Sequence, residues 1–280
     1  MSAQATVLTG AGRGLGRAMA LGLVRAGHSV VGVDRDADVL AALERDAGTG
    51  PGRLATLAAD LTDRNSAPSI VDFAGRTFGP VACLVNCAGI GQEIIRPDFA
   101  TRPIRFWDVD EATWRLIFAV NADAVFRLCA AVAPGMVERG WGRIVNVTTS
   151  LETMIRTGMA PYGPAKAASE AFSAIIAKDL EGTGVTVNVL VPGGPAATRM
   201  MPEFVETAPE RLISPEVMVA PIVWLLSPAS DGVTGRRFRA NAWNATLDPA
   251  AAAEAAGGPA AWSGLAGGAA QANYMPKAAS

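Results

Sequence analysis

The sequence predicts a single α/β domain: a doubly wound, mostly parallel seven-stranded sheet with helices on both faces. Three observations carry this. Short apolar runs alternate with longer helical patterns along most of the 280 residues. The runs are rich in Val and Leu rather than alternating with polar residues, as strands covered on both faces must be. A glycine-dense turn follows the first run, at a strand end where such sheets bind ligands.

Ala5–Thr9 reads as the first strand, followed by a helix over Gly14–Ala26. Ser29–Val33 is the second strand, with a helix over Asp36–Asp46 behind it. Leu54–Ala59 and Ala82–Asn86 are strands separated by a helix at Ser66–Phe78. Glu111–Glu138 reads as one long helix, Arg143–Thr148 as a strand, Ala165–Glu181 as a helix and Val185–Val191 as a strand. Pro215–Leu226 is a helix and Gly235–Ala240 the seventh strand. Two stretches leave this rhythm. Ile90–Asp110 is a long connection, and Pro249–Ser280 is an Ala/Gly-rich tail whose composition favours flexibility over an arm on a neighbouring subunit.

Half of the residues are hydrophobic and 18% are charged, enough for a well-buried core. The net charge of −2, from 24 basic and 26 acidic residues, gives no nucleic-acid signature. No secretory pattern opens the chain, and the most apolar stretch, Leu116–Met136, carries Asn121, Asp123 and Arg127. The expectation is a cytoplasmic protein without a membrane partner. Cys83, Cys87 and Cys129 are odd in number and match no metal or redox spacing, so buried reduced thiols and no metal site are expected.

The first strand runs into Thr9-Gly10-Ala11-Gly12-Arg13-Gly14-Leu15-Gly16. A strand, a glycine turn and a helix N-terminus form the geometry a pyrophosphate needs. Glycine lets the backbone approach closely, and the helix start offers free N–H groups. Leu15 stands where G-x-G-x-x-G would place its third glycine, so the pattern is T-G-x-x-x-G-x-G. Asp34 ends the second strand, 18 residues after Gly16. A carboxylate there accepts from ribose hydroxyls and repels a 2′-phosphate, favouring NAD over NADP. Arg13 and Arg35 point the other way if either meets a phosphate.

Tyr162 and Lys166 lie four apart, and Pro164 between them fits only the first turn of a helix. The two side chains therefore share a face. A free tyrosine titrates near about 10, and a neighbouring ammonium is expected to lower that value toward a working base.

Together these pieces resemble the short-chain dehydrogenase/reductase family in its compact form, a Rossmann-type fold. The matching residues are the Thr9–Gly16 loop, Asp34, Asp60-Leu61-Thr62, Asn86-Cys87-Ala88-Gly89, Asn121, Tyr162-x3-Lys166, Pro192-Gly193 and Val233-Thr234-Gly235. They occur in family order across roughly residues 5–245. The resemblance implies a dinucleotide-binding and catalytic domain over residues 1–248. Gly10, Gly12, Arg13, Gly14, Leu15 and Gly16 would hold the pyrophosphate, Asp34 and Arg35 would meet the adenosine ribose, and Asp60 and Leu61 would border the adenine. Asn86, Ala88 and Gly89 would line the cleft, and Pro192, Gly193 and Thr198 would cover the nicotinamide. Tyr162 is the implied general acid/base, tuned by Lys166, which also binds the nicotinamide ribose. Asn121 would position a water that relays protons from Lys166.

Three departures stand out. The family's substrate-orienting serine falls thirteen residues before the tyrosine, at Thr149, with Ser150 beside it, so either hydroxyl is a candidate. Cys87 replaces a second asparagine. The loop from Pro192 has one extra residue before Thr198, which displaces that threonine from a carboxamide contact. The expected activity is hydride transfer between NAD and a small alcohol or carbonyl, with NADP-dependent carbonyl reduction and a non-catalytic dinucleotide sensor as alternatives. Ile94, Ile95, Met154, Met159, Met200, Met201 and Phe204 are wall candidates, and Arg96 or Arg156 could meet an anion. The resemblance also implies a homotetramer or homodimer packed through Glu111–Glu138 and Ala165–Glu181.

Overall fold

The computed structural model describes residues 4–201 and 208–262. Its sheet has strand order β3-β2-β1-β4-β5-β6-β7-β8. The strands are β1 (Ala5–Thr9), β2 (Ser29–Asp34), β3 (Arg53–Ala58), β4 (Val81–Asn86), β5 (Gly142–Val147), β6 (Val185–Val191), β7 (Arg236–Arg239) and β8 (Gly257–Pro259). All neighbours are parallel except β7 and β8. The chain winds outward from β1 to β3, then crosses back to β4. Thr9 and Asn86 face each other across that switch, and a crevice opens beyond them.

Successive residues of each central strand feed opposite cores. Leu8, Val85 and Val145 pack with α1 (Gly14–Arg25), α2 (Ala37–Ala47) and α8 (Val219–Leu225). Val7, Leu84 and Ile144 pack with α3 (Ser66–Phe78), α5 (Ala124–Glu138) and α7 (Tyr162–Asp179). This two-sided burial is why the strand sequences are continuous apolar runs. A third cluster, with Ile90, Phe99, Ile104, Ile117 and Met159, closes the connection after β4 over the crevice.

Two features depart from expectation. The sheet has eight strands, not seven. The segment after residue 248 forms α9 (Pro249–Ala256), capped by Asp248, and then β8. Ala252, Ala253 and Ala256 are buried, so alanine there is a packing residue rather than a mark of flexibility. The remainder of the tail, with Tyr274, lies outside the described residues. The second departure is in the long helix. α4 (Glu111–Phe118) passes into α5 through a π-helical turn at Ala119–Asp123, with Asn121 at its centre. Such turns are frequent at functional sites. A short helix, α6 (Leu151–Ile155), follows three residues after β5.

Candidate active site

One cleft of about 720 Å³ runs along the C-terminal strand ends, from Asp34 and Asp60 at one end to Tyr162 and Met200 at the other. Its floor at the switch point is the turn after β1. Gly10 and Gly14 adopt positive φ, +69° and +48°. A Cβ on Gly10 would lie 2.7 Å from Ala88 Cα, and one on Gly16 would lie 1.9 Å from the Gly10 carbonyl oxygen. The close approach of these backbones leaves a bare peptide cradle at the N-terminus of α1. Arg13, Leu15 and Gly16 line it. Thr9 locks the cradle to β4, its hydroxyl accepting from the N–H groups of Cys87 and Ala88 at 3.1 and 3.2 Å.

Asp34 is fixed from two sides. Its Oδ2 accepts from Gly12 N–H at 3.1 Å and its Oδ1 from Asp36 N–H at 3.3 Å. Gly12 thus serves as an anchor for Asp34 rather than as part of the cleft wall. Arg13 is paired with Asp36 at 2.6 Å, and Arg35 is exposed. Asp60 turns back on Thr62, accepting from both its N–H and its hydroxyl, and these bonds hold its pKa below the usual carboxylate value. Leu61 lines the cleft beside it. Cys87, Ala88 and Gly89 form the wall after β4, but Asn86 does not. Its side chain is turned into the sheet and donates to Asn146 Oδ1 at 2.9 Å, bridging β4 and β5. Pro192, Gly193 and Thr198 cover the opposite wall, with the Thr198 methyl over Gly14.

At the far end α7 begins at Tyr162, where Pro164 in the first turn places it, three residues before the Ala165 start of the helical run. Its buried stripe is Tyr162, Lys166, Ser169, Glu170, Ser173 and Ala177. Lys166 Nζ donates to the Val147 carbonyl at 2.9 Å and lies 5.9 Å from the Tyr162 ring centroid. Burial drives the Lys166 pKa down to about 8. Tyr162 behaves contrary to expectation. Burial raises its pKa, the Glu93 carboxylate raises it further, and the nearby Thr149 side chain only partly restores it. Desolvation therefore dominates at this hydroxyl.

Of the two candidate hydroxyls, Thr149 approaches Tyr162. Ser150 is the N-cap of α6, where its Oγ accepts from Thr153 N–H at 3.1 Å. Asn121 is fully buried. Its amide donates to the carbonyls of Ile90 and Ile117, and its Oδ1 has no partner. A Cβ on Gly89 would lie 2.9 Å from that oxygen and 3.5 Å from Lys166 Nζ, so the two groups share a polar corner. Of the wall candidates, Met159, Met200 and Met201 line the cleft and Ile95 packs under it. Met154 is buried, Ile94 and Arg96 are not part of the wall, and Phe204 lies outside the described residues. Arg156 is at the rim. All three cysteines are free, and burial raises each of their pKa values to about 12.

Sequence reasoning passed over a brace behind Thr149. Glu170 Oε2 accepts from Arg237 at 2.7 Å and from the Thr148 hydroxyl at 2.6 Å. Arg237 also donates to the Thr149 carbonyl at 2.6 Å, and Glu170 Oε1 accepts from Ala261 N–H at 3.2 Å. A signal was present: Arg237 sits in a strand, and Glu170 falls one turn after Lys166 on the buried stripe. Glu93 and Gln92, in a short 3-10 turn over the substrate end, were also missed.

These features define a doubly wound fold with a glycine cradle at its switch point and a Tyr–Lys pair at the other end of the cleft. A model of the family described as short chain dehydrogenase matches residues 4–209, and the chain belongs to that family. A 2-keto-3-deoxy-L-fuconate dehydrogenase from Xanthomonas campestris pv. campestris is 33% identical over 248 residues, covering 82% of this chain and 76% of that protein. An acetoacetyl-CoA reductase from Allochromatium vinosum is 30% identical, covering 85% and 97%. Among solved structures, a protein from Beutenbergia cavernae described as an NAD(P)-dependent gluconate 5-dehydrogenase, with bound NADP at low occupancy, superposes with a TM-score of 0.74. It is 29% identical, and the match covers 86% of this chain and 96% of that one. A metagenomic short-chain oxidoreductase in complex with NADP gives a TM-score of 0.67 at 26% identity, covering 81% and 91%. The chain is accordingly an NAD(P)-dependent oxidoreductase acting on CH–OH or C=O groups.

Proposed function

We propose that the chain interconverts a secondary alcohol and a ketone, with NAD as redox partner and Tyr162 as general acid/base. The observation that carries this is the meeting of Tyr162, Thr149 and Lys166 at one end of a cleft whose other end is the glycine cradle and Asp34. The cradle, bare where side chains would clash, fits a pyrophosphate, and the unpartnered Asn121 Oδ1 fits a water beside Lys166. When bound, the nicotinamide supplies the hydride acceptor or donor.

The chain's own residues handle the proton. The Tyr162 hydroxyl gives a proton to the substrate oxygen during reduction and takes it during oxidation, while Thr149 donates a second hydrogen bond there. Burial keeps Tyr162 neutral, the form that donates to a carbonyl. Lys166 supports the charge that Tyr162 carries after donating, and Asn121 holds the water through which the proton is replaced. Asp34 would accept from the adenosine ribose, and Pro192–Thr198 would cover the nicotinamide.

NAD is preferred because a 2′-phosphate would meet Asp34 and Asp60, while Arg13 and Asp36 neutralise each other. NADP is the second reading, favoured by exposed Arg35 and by the NADP in both solved relatives. A cytoplasmic location is consistent with three free thiols. Exposed Phe126 and Ile175 on α5 and α7 support a homo-oligomer packed through those helices.

Tyr162→Phe should lower kcat by roughly 10²–10⁴-fold with NADH affinity nearly unchanged, read by fluorescence transfer from protein to cofactor. Substantial residual turnover overturns the role of Tyr162. The same titration should show tighter NADH than NADPH, and the reverse order overturns the role of Asp34.

A further inference from the structure

Glu93 faces the substrate end of the cleft, and the scheme above leaves it without a task. It follows Gly91 and Gln92 in the 3-10 turn after β4. Its Oε1 accepts from Gly91 N–H at 3.1 Å, while its Oε2 is buried and has no hydrogen-bond partner. That oxygen lies over Gly91 beside Met200. A Cβ on Gly91 would be 2.9 Å from it and 3.4 Å from Met200 Sδ. Leaving a buried acceptor unpaired costs about 1–3 kcal/mol, more when it is charged. A group that bears this cost inside a binding cleft is matched by a donor that arrives with the ligand.

The neighbouring charges indicate the rest of the ligand. Arg156, Arg199 and Arg211 line the cleft, and none forms an ion pair among the described residues. Arg199 is close enough to Glu93 to offset part of the burial that raises its pKa. Met159, Met200 and Phe99 add apolar wall to the same cleft. The cleft thus offers an acceptor near Tyr162, a flexible apolar wall and three guanidinium groups.

We infer that Glu93 is a specificity-determining residue that accepts a hydrogen bond from a hydroxyl on the carbon next to the reacting carbinol. The substrate class is a hydroxylated carboxylate whose anion faces Arg199 and Arg211. This rests on Tyr162 marking the reacting carbon. A buried acceptor selects strongly against substrates lacking its donor, because the unpaired group is then desolvated for nothing.

The test measures kcat/KM for C6 aldonates, for 5-hydroxyhexanoate, which keeps the carboxylate and the secondary alcohol but lacks neighbouring hydroxyls, and for a C6 polyol without the carboxylate. The parent should favour aldonates over 5-hydroxyhexanoate by at least 100-fold. Glu93→Leu should collapse that ratio by at least tenfold, and Glu93→Gln, which retains an acceptor oxygen, should preserve most of it. Arg199→Ala should raise KM for aldonates about tenfold and leave KM for the polyol alone. An equal loss on all substrates in Glu93→Leu, or turnover of 5-hydroxyhexanoate in preference to aldonates, overturns the inference while leaving Tyr162 in place. Undiminished turnover in Tyr162→Phe overturns the reading beneath it instead.

Discussion

Lys166 is held where its charge is hardest to keep. It is 4% exposed, and burial brings its pKa from 10.5 to about 8. The unfolded chain holds that proton more tightly, so folding at neutral pH carries a penalty of about 3 kcal/mol, at 1.36 kcal/mol per pKa unit. The penalty is fully present below pH 8. Between pH 8 and 10.5 the folded state has released the proton and the unfolded state has not, so stability rises with pH. Above 10.5 the penalty is gone. Lys166→Met is therefore expected to lose most of its turnover yet to melt at a higher temperature than the parent at pH 7. The two melting curves should converge as pH rises through this window. Tyr162, whose pKa is raised, works in the opposite direction above pH 10, but it does so in both proteins and leaves the difference intact.

Among elements, the contact of β7 with α7 explains how a threonine can hold a precise place. Arg237, 10% exposed, and Glu170, fully buried, form an ion pair that also grips Thr148 and the Thr149 carbonyl. Removing one partner leaves a buried charge alone, which destabilises by about 3–5 kcal/mol. Glu170→Ala should therefore lower the melting temperature sharply. The milder Arg237→Lys, which cannot reach both Glu170 and the Thr149 carbonyl with a fork, should lower kcat more than it raises the KM for NADH. Loss of stability with unchanged kcat in the folded fraction would reduce the pair to a structural role.

This scale also shows what could be read in advance. Apolar runs rich in Val and Leu predicted β1, β2, β4, β5 and β6 because two-sided burial demands them, and Pro164 located the start of α7. Gly257-Gly258-Pro259 carries no apolar signal, since β8 is defined by an available sheet edge and by the packing of α9. The π-turn at Asn121 was equally invisible, because slipping a hydrogen bond from i+4 to i+5 changes no residue type. The residues of the Tyr162 corner were legible by spacing. Their protonation was not, because desolvation depends on packing that no local pattern records.

For the whole molecule, the sheet extends past the point where composition suggests that the domain ends. Arg236 pairs with Glu254, β8 closes the edge of β7, and Ala260 is buried. Ending the chain at Asp248 rather than at Trp262 should lower the melting temperature by about 5–10 °C. That corresponds to a few kcal/mol at roughly 2–4 °C each for a chain of this size. An unchanged melting temperature would mean that α9 and β8 contribute no stability.

The bond from Ala261 N–H to Glu170 has a consequence in time as well as in space. A ribosome makes the Thr9–Gly16 cradle well before it makes Arg237 and Ala261. Cradle, Asp34 and β4 are all present before residue 90, whereas the support behind Thr149 arrives some 150 residues later. A nascent chain that has passed Thr149 therefore lacks the brace behind it until Arg237 and Ala261 are made.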